Sequence, residues 1–153
     1  MFVVLLRHGV AEPHGSHAND DDRRLTPAGR RKMKEIAPAL AKLFPDVDAI
    51  HSSPLPRALE TATIVAKSYD FGVQTLDALK PDSDPDEVRA FLEDARVEKL
   101  ILVGHEPHLS ATMLHLTGMS GEMELKKGGC YGMRIEDGVA RLEWMLPPRA
   151  LRL

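Results

Sequence analysis

Phe2-Val3-Val4-Leu5-Leu6-Arg7-His8-Gly9 is a run of apolar, mostly branched residues that stops at two bases and a glycine. A short continuous apolar run, without polar alternation, fits a strand covered on both faces, as in a parallel sheet between helices. Gly9 permits a sharp turn at its end. The pattern recurs downstream, where Lys99 to Val103 reads as another buried strand closed by Gly104-His105. Two such strands, each ending in histidine, set the frame for the rest of the chain.

Between them, strand and helix signals alternate. His14 to Arg24 is polar and reads as a loop. Thr26-Pro27 is a cap-plus-proline helix start. Met33, Ile36, Ala37, Leu40 and Leu43 or Phe44 then keep helical spacing up to Pro45, with Pro38 inside the pattern as a kink or dividing point. Val47 to His51 reads as a strand. Ser53-Pro54 reads as a second helix start, running to about Ser68. Val73 to Leu76 reads as a brief strand and Lys80 to Asp86 as a loop. Asp84-Pro85 starts a helix to about Asp94, with Val88, Phe91 and Leu92 on one face. Glu106-Pro107 begins another, through Leu116. Cys130 to Ile135 and Val139 to Leu146 form a hairpin around Glu136-Asp137-Gly138, because Asp-Gly is a strong turn signal. The reading is one α/β domain over residues 1–153, a three-layer sandwich. Its central sheet is mostly parallel with antiparallel edge strands, and helices cover both faces.

Composition excludes several classes. The 153 residues are 43% hydrophobic and 28% charged, as in ordinary globular proteins. A net charge of −3 gives no electrostatic reason to expect nucleic acid or an anionic membrane as partner. The single cysteine, Cys130, cannot form an internal disulfide and reads as core. No apolar run reaches the length of a signal-peptide core or a membrane span, so the expectation is a cytoplasmic protein.

In open α/β sheets, ligands bind outside the carboxyl ends of the strands. Arg7, His8 and His105 fall there, and Arg57 lies in the first turn of the helix after the second strand. Alone, each is compatible with a solvated loop or helix face. Together at one sheet edge they form an anion site, since guanidinium forks match phosphate oxygens and helix N-termini add positive potential. Other polar residues read more simply. His14 and His17 with Asp20 to Asp22 have irregular spacing and read as solvated surface, not a metal site. His51 and His115 read as structural or peripheral, Glu60 as a solvent-facing helical residue, and His108 as bordering the pocket at most.

Arg7-His8-Gly9 resembles the signature of the histidine phosphatase superfamily, and three further features resemble its pattern in order. These are Arg23 before Leu25-Thr26 and Gly29, Ser53 followed by Arg57-Ala58 and Thr61-Ala62, and Gly104-His105 with Pro107. Arg7 to Ala11 and Leu125-Lys126-Lys127-Gly128 are most similar to the compact SixA-type phosphohistidine phosphatases. The resemblance implies that His8 is the nucleophile and that Arg7, Arg57 and His105, with Gly9, hold the phosphoryl group. It implies no metal and no other cofactor. The nearest counterpart of the family's general acid is Asp82, in Lys80 to Asp84, while Asp84 reads as the cap of the next helix. The implied substrate is phosphohistidine in a protein. The alternatives are a small phosphomonoester, such as a sugar or nucleotide phosphate, and a non-catalytic phosphate-binding module. The short chain leaves little room for the loops that cover the active sites of related mutases, which points to a protein substrate.

Overall fold

The computed structural model describes residues 1–153. Six strands build one sheet: β1 (Phe2–Arg7), β2 (Ala49–Ser52), β3 (Gln74–Thr75), β4 (Lys99–Gly104), β5 (Cys130–Glu136) and β6 (Val139–Leu146). Four helices connect them: α1 (Pro27–Leu43), α2 (Pro56–Ala66), α3 (Pro85–Asp94) and α4 (His108–Thr117). The strand order is β3-β2-β4-β1-β5-β6. β1, β2, β3 and β4 pair in parallel, whereas β5 and β6 are antiparallel at one side.

Alternation along the buried strands divides the core. Phe2, Val4 and Leu6 of β1 pack with Ile101 and Val103 of β4 against α1 and α2. Val3 and Leu5 pack with Leu100 and Leu102 against α3 and α4. Both faces are therefore apolar, which is why the sequence of β1 shows no polar alternation. From β1 the chain crosses to β2 by way of α1. From β4 it leaves toward β5 by way of α4, on the opposite face. β1 and β4 are neighbours whose connections depart on opposite sides, and this opens a crevice at their carboxyl ends.

The helix starts explain themselves locally. Thr26 Oγ1 accepts from Gly29 N at 2.9 Å and caps α1. Gly29 has no alternative here, since a Cβ would strike the Val10 carbonyl oxygen. α1 runs unbroken through Pro38, whose ring is exposed. The carbonyl that Pro38 leaves without an N–H belongs to Lys34, also exposed, so the missing donor is lost at a solvent-facing site, where its cost is smallest. Asp84 Oδ1 accepts from Asp86 N at 2.9 Å and caps α3 as the sequence suggests.

The second helix differs from the sequence reading. It begins at Pro56, not at Ser53-Pro54, and ends at Ala66 rather than Ser68. Leu55 precedes a proline, which disfavours helical torsions, and it stands extended at φ −66° and ψ 139°. Ser53 is thereby released from capping duty. The third strand is shorter than expected, confined to Gln74–Thr75, and Asp20–Asp22 make a single 3₁₀ turn within the polar loop. In the hairpin turn, Asp137 and Gly138 have φ of 53° and 75°, the pair of positive values that a tight two-residue connection requires. No helix is long and apolar enough to cross a membrane.

Candidate active site

Strand register brings the histidines together. Arg7 of β1 stands opposite Gly104 of β4, and His8 N donates to Gly104 O at 3.0 Å. The His8 and His105 rings consequently lie 5.2 Å apart between centroids. On the other side of β4, Ser52 stands opposite Val103, which sets Ser53 beside His105. Ser53 Oγ and His105 Nε2 are 2.8 Å apart.

His8 is buried, with 6% of its surface exposed. Its Nδ1 lies 2.7 Å from the Gly9 carbonyl oxygen. A carbonyl can only accept, so Nδ1 carries the proton and Nε2 keeps its lone pair. Gly9 N donates to Thr61 Oγ1 at 3.0 Å, and Thr61 Oγ1 donates to the Arg57 carbonyl at 2.8 Å. That chain ties the turn after β1 to the helix carrying Arg57. The role of Gly9 in this arrangement is to fix the His8 tautomer, since its own N–H is already committed to Thr61.

The cleft between these elements holds about 330 Å³ and is lined by His8, Arg7, Arg23, Arg57, His105 and Lys127, among others. Arg57 is 5% exposed, and its Nε and Nη1 are buried without a partner. The Arg7 Nε and His105 Nδ1 atoms are likewise buried and unpartnered. Buried donors normally find acceptors, so this group is arranged for an anion that supplies several oxygens. With Ser53 Oγ–H donated to His105 Nε2, His105 Nδ1–H becomes one more such donor.

Three of the four acidic residues that line the cleft are engaged with protein groups, and the fourth, Asp21, is exposed. Asp20 Oδ1 lies 2.9 Å from Arg23 Nε and 2.9 Å from His14 Nδ1. Glu12 Oε1 accepts from Arg24 N at 2.7 Å and pairs with His17 Nε2 at 2.9 Å. His14 and His17 thus pair with separate carboxylates and brace the surface loop. Glu106 takes donors from Ser110 and Leu125. Asp82 is exposed in its loop and does not line the cleft, whereas its neighbour Pro81 does.

Burial dominates the electrostatics. It pushes the pKa of His8 down to about 3, against which the Gly9 carbonyl acts, while the charges of Arg57, Arg7 and Arg23 lower it further. His105 is pushed down to about 2, first by burial, then by His8 and Arg57. Arg57 itself is lowered by burial and by Arg23, with Asp20 and Asp21 opposing. Both histidines are therefore neutral in the empty site at neutral pH. Tertiary burial thus tunes both histidines well below the ordinary value of 6.5.

Below their unfolded value of 6.5 and down to about 3, His8 and His105 bind protons in the unfolded chain but not in the folded one. Their contribution is fully present above pH 6.5 and is lost as pH falls. Each unit of difference corresponds to ~1.4 kcal/mol. Urea denaturation in phosphate-free buffer is expected to show a loss of a few kcal/mol (order of magnitude) between pH 7 and pH 4. The slope should flatten in a His8→Ala, His105→Ala double variant. Equal slopes in the two proteins would contradict this account.

Reading the sequence located His8, Arg7, Arg57 and His105, and the fold brings all four to one cleft. It did not assign Arg23, which is 7% exposed, lines the cleft and donates from Nη1 to the Glu12 carbonyl at 2.8 Å. The signal was present, because Arg23 sits in the segment before Leu25-Thr26 that resembled the family pattern. Thr61, Ser53 and Lys127 were also within matching segments but carried no role. Glu60 is not merely solvent-facing, since it accepts from Leu25 N at 3.2 Å and pairs with Arg30 at 3.2 Å.

Residues 3–81 match the histidine phosphatase superfamily (branch 1). An uncharacterized protein of Picosynechococcus sp. is 35% identical over 150 residues, spanning 94% of this chain and 89% of that protein. Among solved structures, the protein histidine phosphatase SixA complexed with tungstate superposes with a TM-score of 0.89 at 22% identity, covering 99% of both chains. A phosphoserine phosphatase of Entamoeba histolytica in complex with phosphoserine superposes with a TM-score of 0.74 at 19% identity, covering 94% of this chain and 95% of that one. The chain belongs to the histidine phosphatase superfamily, branch 1, and has the fold of its compact SixA-type members.

Proposed function

We propose that the chain is a phosphohydrolase that works through a phosphorylated His8, and that its substrate is phosphohistidine in a protein. One observation carries the reading: a buried histidine, neutral and with Nε2 free, faces an arginine whose Nε and Nη1 have no protein partner. His8 Nε2 attacks phosphorus in line, forming the N–P bond as the bond to the leaving group breaks. Arg7, Arg57 and His105 hold the non-bridging oxygens as charge shifts among them. Water then attacks phospho-His8, releasing inorganic phosphate and restoring the imidazole.

The leaving group supports the choice of substrate. An alkoxide needs a proton from a nearby acid. Of the cleft carboxylates, Glu12, Asp20 and Glu106 accept hydrogen bonds from the protein, Asp21 is exposed at the rim, and Asp82 stands outside the cleft. Imidazole departs far more readily than an alkoxide, so a phosphoramidate makes the smaller demand. The fold neighbours include both a protein histidine phosphatase and a phosphoserine phosphatase, so the fold alone favours neither class.

Turnover of a phosphohistidine protein should exceed that of sugar and nucleotide monophosphates. Asp82→Asn should change the phosphohistidine rate by less than about threefold. An ester preferred over phosphohistidine, together with a large loss in Asp82→Asn, would establish the phosphomonoester reading with Asp82 as acid. Tight phosphate binding without hydrolysis of either class would establish a binding module.

A further inference from the structure

A hydrogen-bond chain outside the phosphate-binding set ends on Arg7. It begins in the core at Tyr131 of β5, which is fully buried. The Tyr131 hydroxyl lies 2.7 Å from Ser110 Oγ of α4. Ser110 Oγ in turn donates to Glu106 Oε2, and Ser110 N donates to Glu106 Oε1 at 2.8 Å. Leu125 N donates to Glu106 Oε2 at 2.8 Å. The carbonyl of the same Leu125 accepts from Arg7 Nη1 at 2.5 Å.

The directions are determined. Glu106 takes all three contacts as an acceptor, so the one proton of Ser110 Oγ points to it. Tyr131 must then donate to Ser110. Glu106 meanwhile forms part of the cleft wall, next to Arg7 and His105. Its position suggests a proton donor to the leaving group, but its hydrogen bonds do not.

We propose that Glu106 is a positioning residue for Arg7, and that Tyr131 and Ser110 hold it in place. The carboxylate anchors the Leu125 backbone, whose carbonyl orients the Arg7 guanidinium. The same segment returns at Gly128, where N donates to the Arg7 and His8 carbonyls at 3.2 Å each. Arg7 is thus gripped through both its side chain and its backbone, while Nε stays buried and unpartnered. Both arms donate toward the Glu106 carboxylate, Tyr131 through Ser110 from one side and Arg7 through Leu125 from the other, so each arm polarises toward the same acceptor. Tyr131 therefore reaches the phosphate site from the core without touching substrate. The inference rests on the reading of Arg7 as a phosphate ligand.

The test compares wild type, Glu106→Gln and Tyr131→Phe. A series of aryl and alkyl phosphates spans the leaving-group range, and inorganic phosphate is titrated calorimetrically. Glutamine places an amide NH₂ against a donor, so Glu106→Gln should lower kcat/KM about tenfold, by the same factor for every leaving group. Phosphate binding should weaken by a similar factor. Tyr131→Phe removes only the hydroxyl and should lower both by a few-fold (about). A loss that grows with leaving-group pKa, or phosphate affinity unchanged in both variants, overturns the proposal. If Glu106→Gln fails to fold, Tyr131→Phe decides alone, and unchanged phosphate affinity there is the overturning result. Full activity in His8→Ala would instead overturn the nucleophile assignment and leave this phosphate-affinity result standing.

Discussion

Replacing His8 by alanine is expected to abolish turnover, with a loss of at least about a thousandfold in kcat. The covalent route needs an imidazole nitrogen that is unprotonated, aimed at the phosphoryl group and held in one tautomer. His8 satisfies this through burial, which lowers its pKa to about 3, and through the Gly9 carbonyl at Nδ1. The other buried histidine of the cleft does not take over. His105, 5.2 Å away by ring centroid, directs Nε2 at Ser53, not at the substrate position. Rapid-quench experiments on wild type should trap phosphate on His8 as an acid-labile, alkali-stable adduct, and His8→Ala should show none. Because the variant keeps Arg7, Arg57 and His105, it should still bind inorganic phosphate. Retained turnover in His8→Ala, or a phosphoryl group trapped on another residue, would remove His8 from the mechanism.

Substitution of Arg57 should separate activity from stability in opposite directions. Its Nε and Nη1 are buried without protein partners, and Arg23 adds like-charge repulsion. Such a cation is unfavourable in the empty protein and favourable only when an anion is present. Arg57→Met, which keeps most of the volume, should lower kcat/KM by about 10²–10³-fold, or ~2.7–4 kcal/mol of transition-state stabilisation. The same variant should unfold at higher denaturant concentration without phosphate, by about 1 kcal/mol. Arg57→Lys should recover little activity, because an ammonium cannot present two parallel donors to phosphate oxygens. Phosphate should raise the melting temperature of wild type more than that of Arg57→Met. A less stable Arg57→Met protein with normal turnover would refute the argument on both counts.

Some features were legible because they are local. The uninterrupted apolar run Phe2 to Leu6 reports a strand with both faces covered, and the core divides around it as that requires. Asp84-Pro85 and Thr26-Pro27 start helices where they predict, because a side-chain oxygen and a proline ring act within a few residues. Ser53-Pro54 carried the same signal and misled. A second proline two residues later holds Leu55 extended, and the hydroxyl that would have capped a helix serves His105 instead. Nothing in the local sequence separates the two uses of that hydroxyl, because His105 lies on another strand.

The order of strands and helices along the chain, apart from the bounds of the second helix and third strand, and the identity of the residues at the strand ends are readable from the sequence. Periodicity, capping and the carboxyl-edge rule act over short stretches or follow from topology alone. How those residues are tuned depends on the tertiary structure. Register sets His8 beside Gly104 and His105 beside Ser53, and burial then fixes protonation state and tautomer. It also decided which polar groups are free and which are engaged. Arg57 Nε stays open, Glu106 is taken up by Ser110 and Leu125, and Asp82 stands outside the cleft. Desolvation and hydrogen-bond partnership depend on neighbours far apart in the chain, so the sequence could name the residues of the site but not their charge state or their availability to substrate.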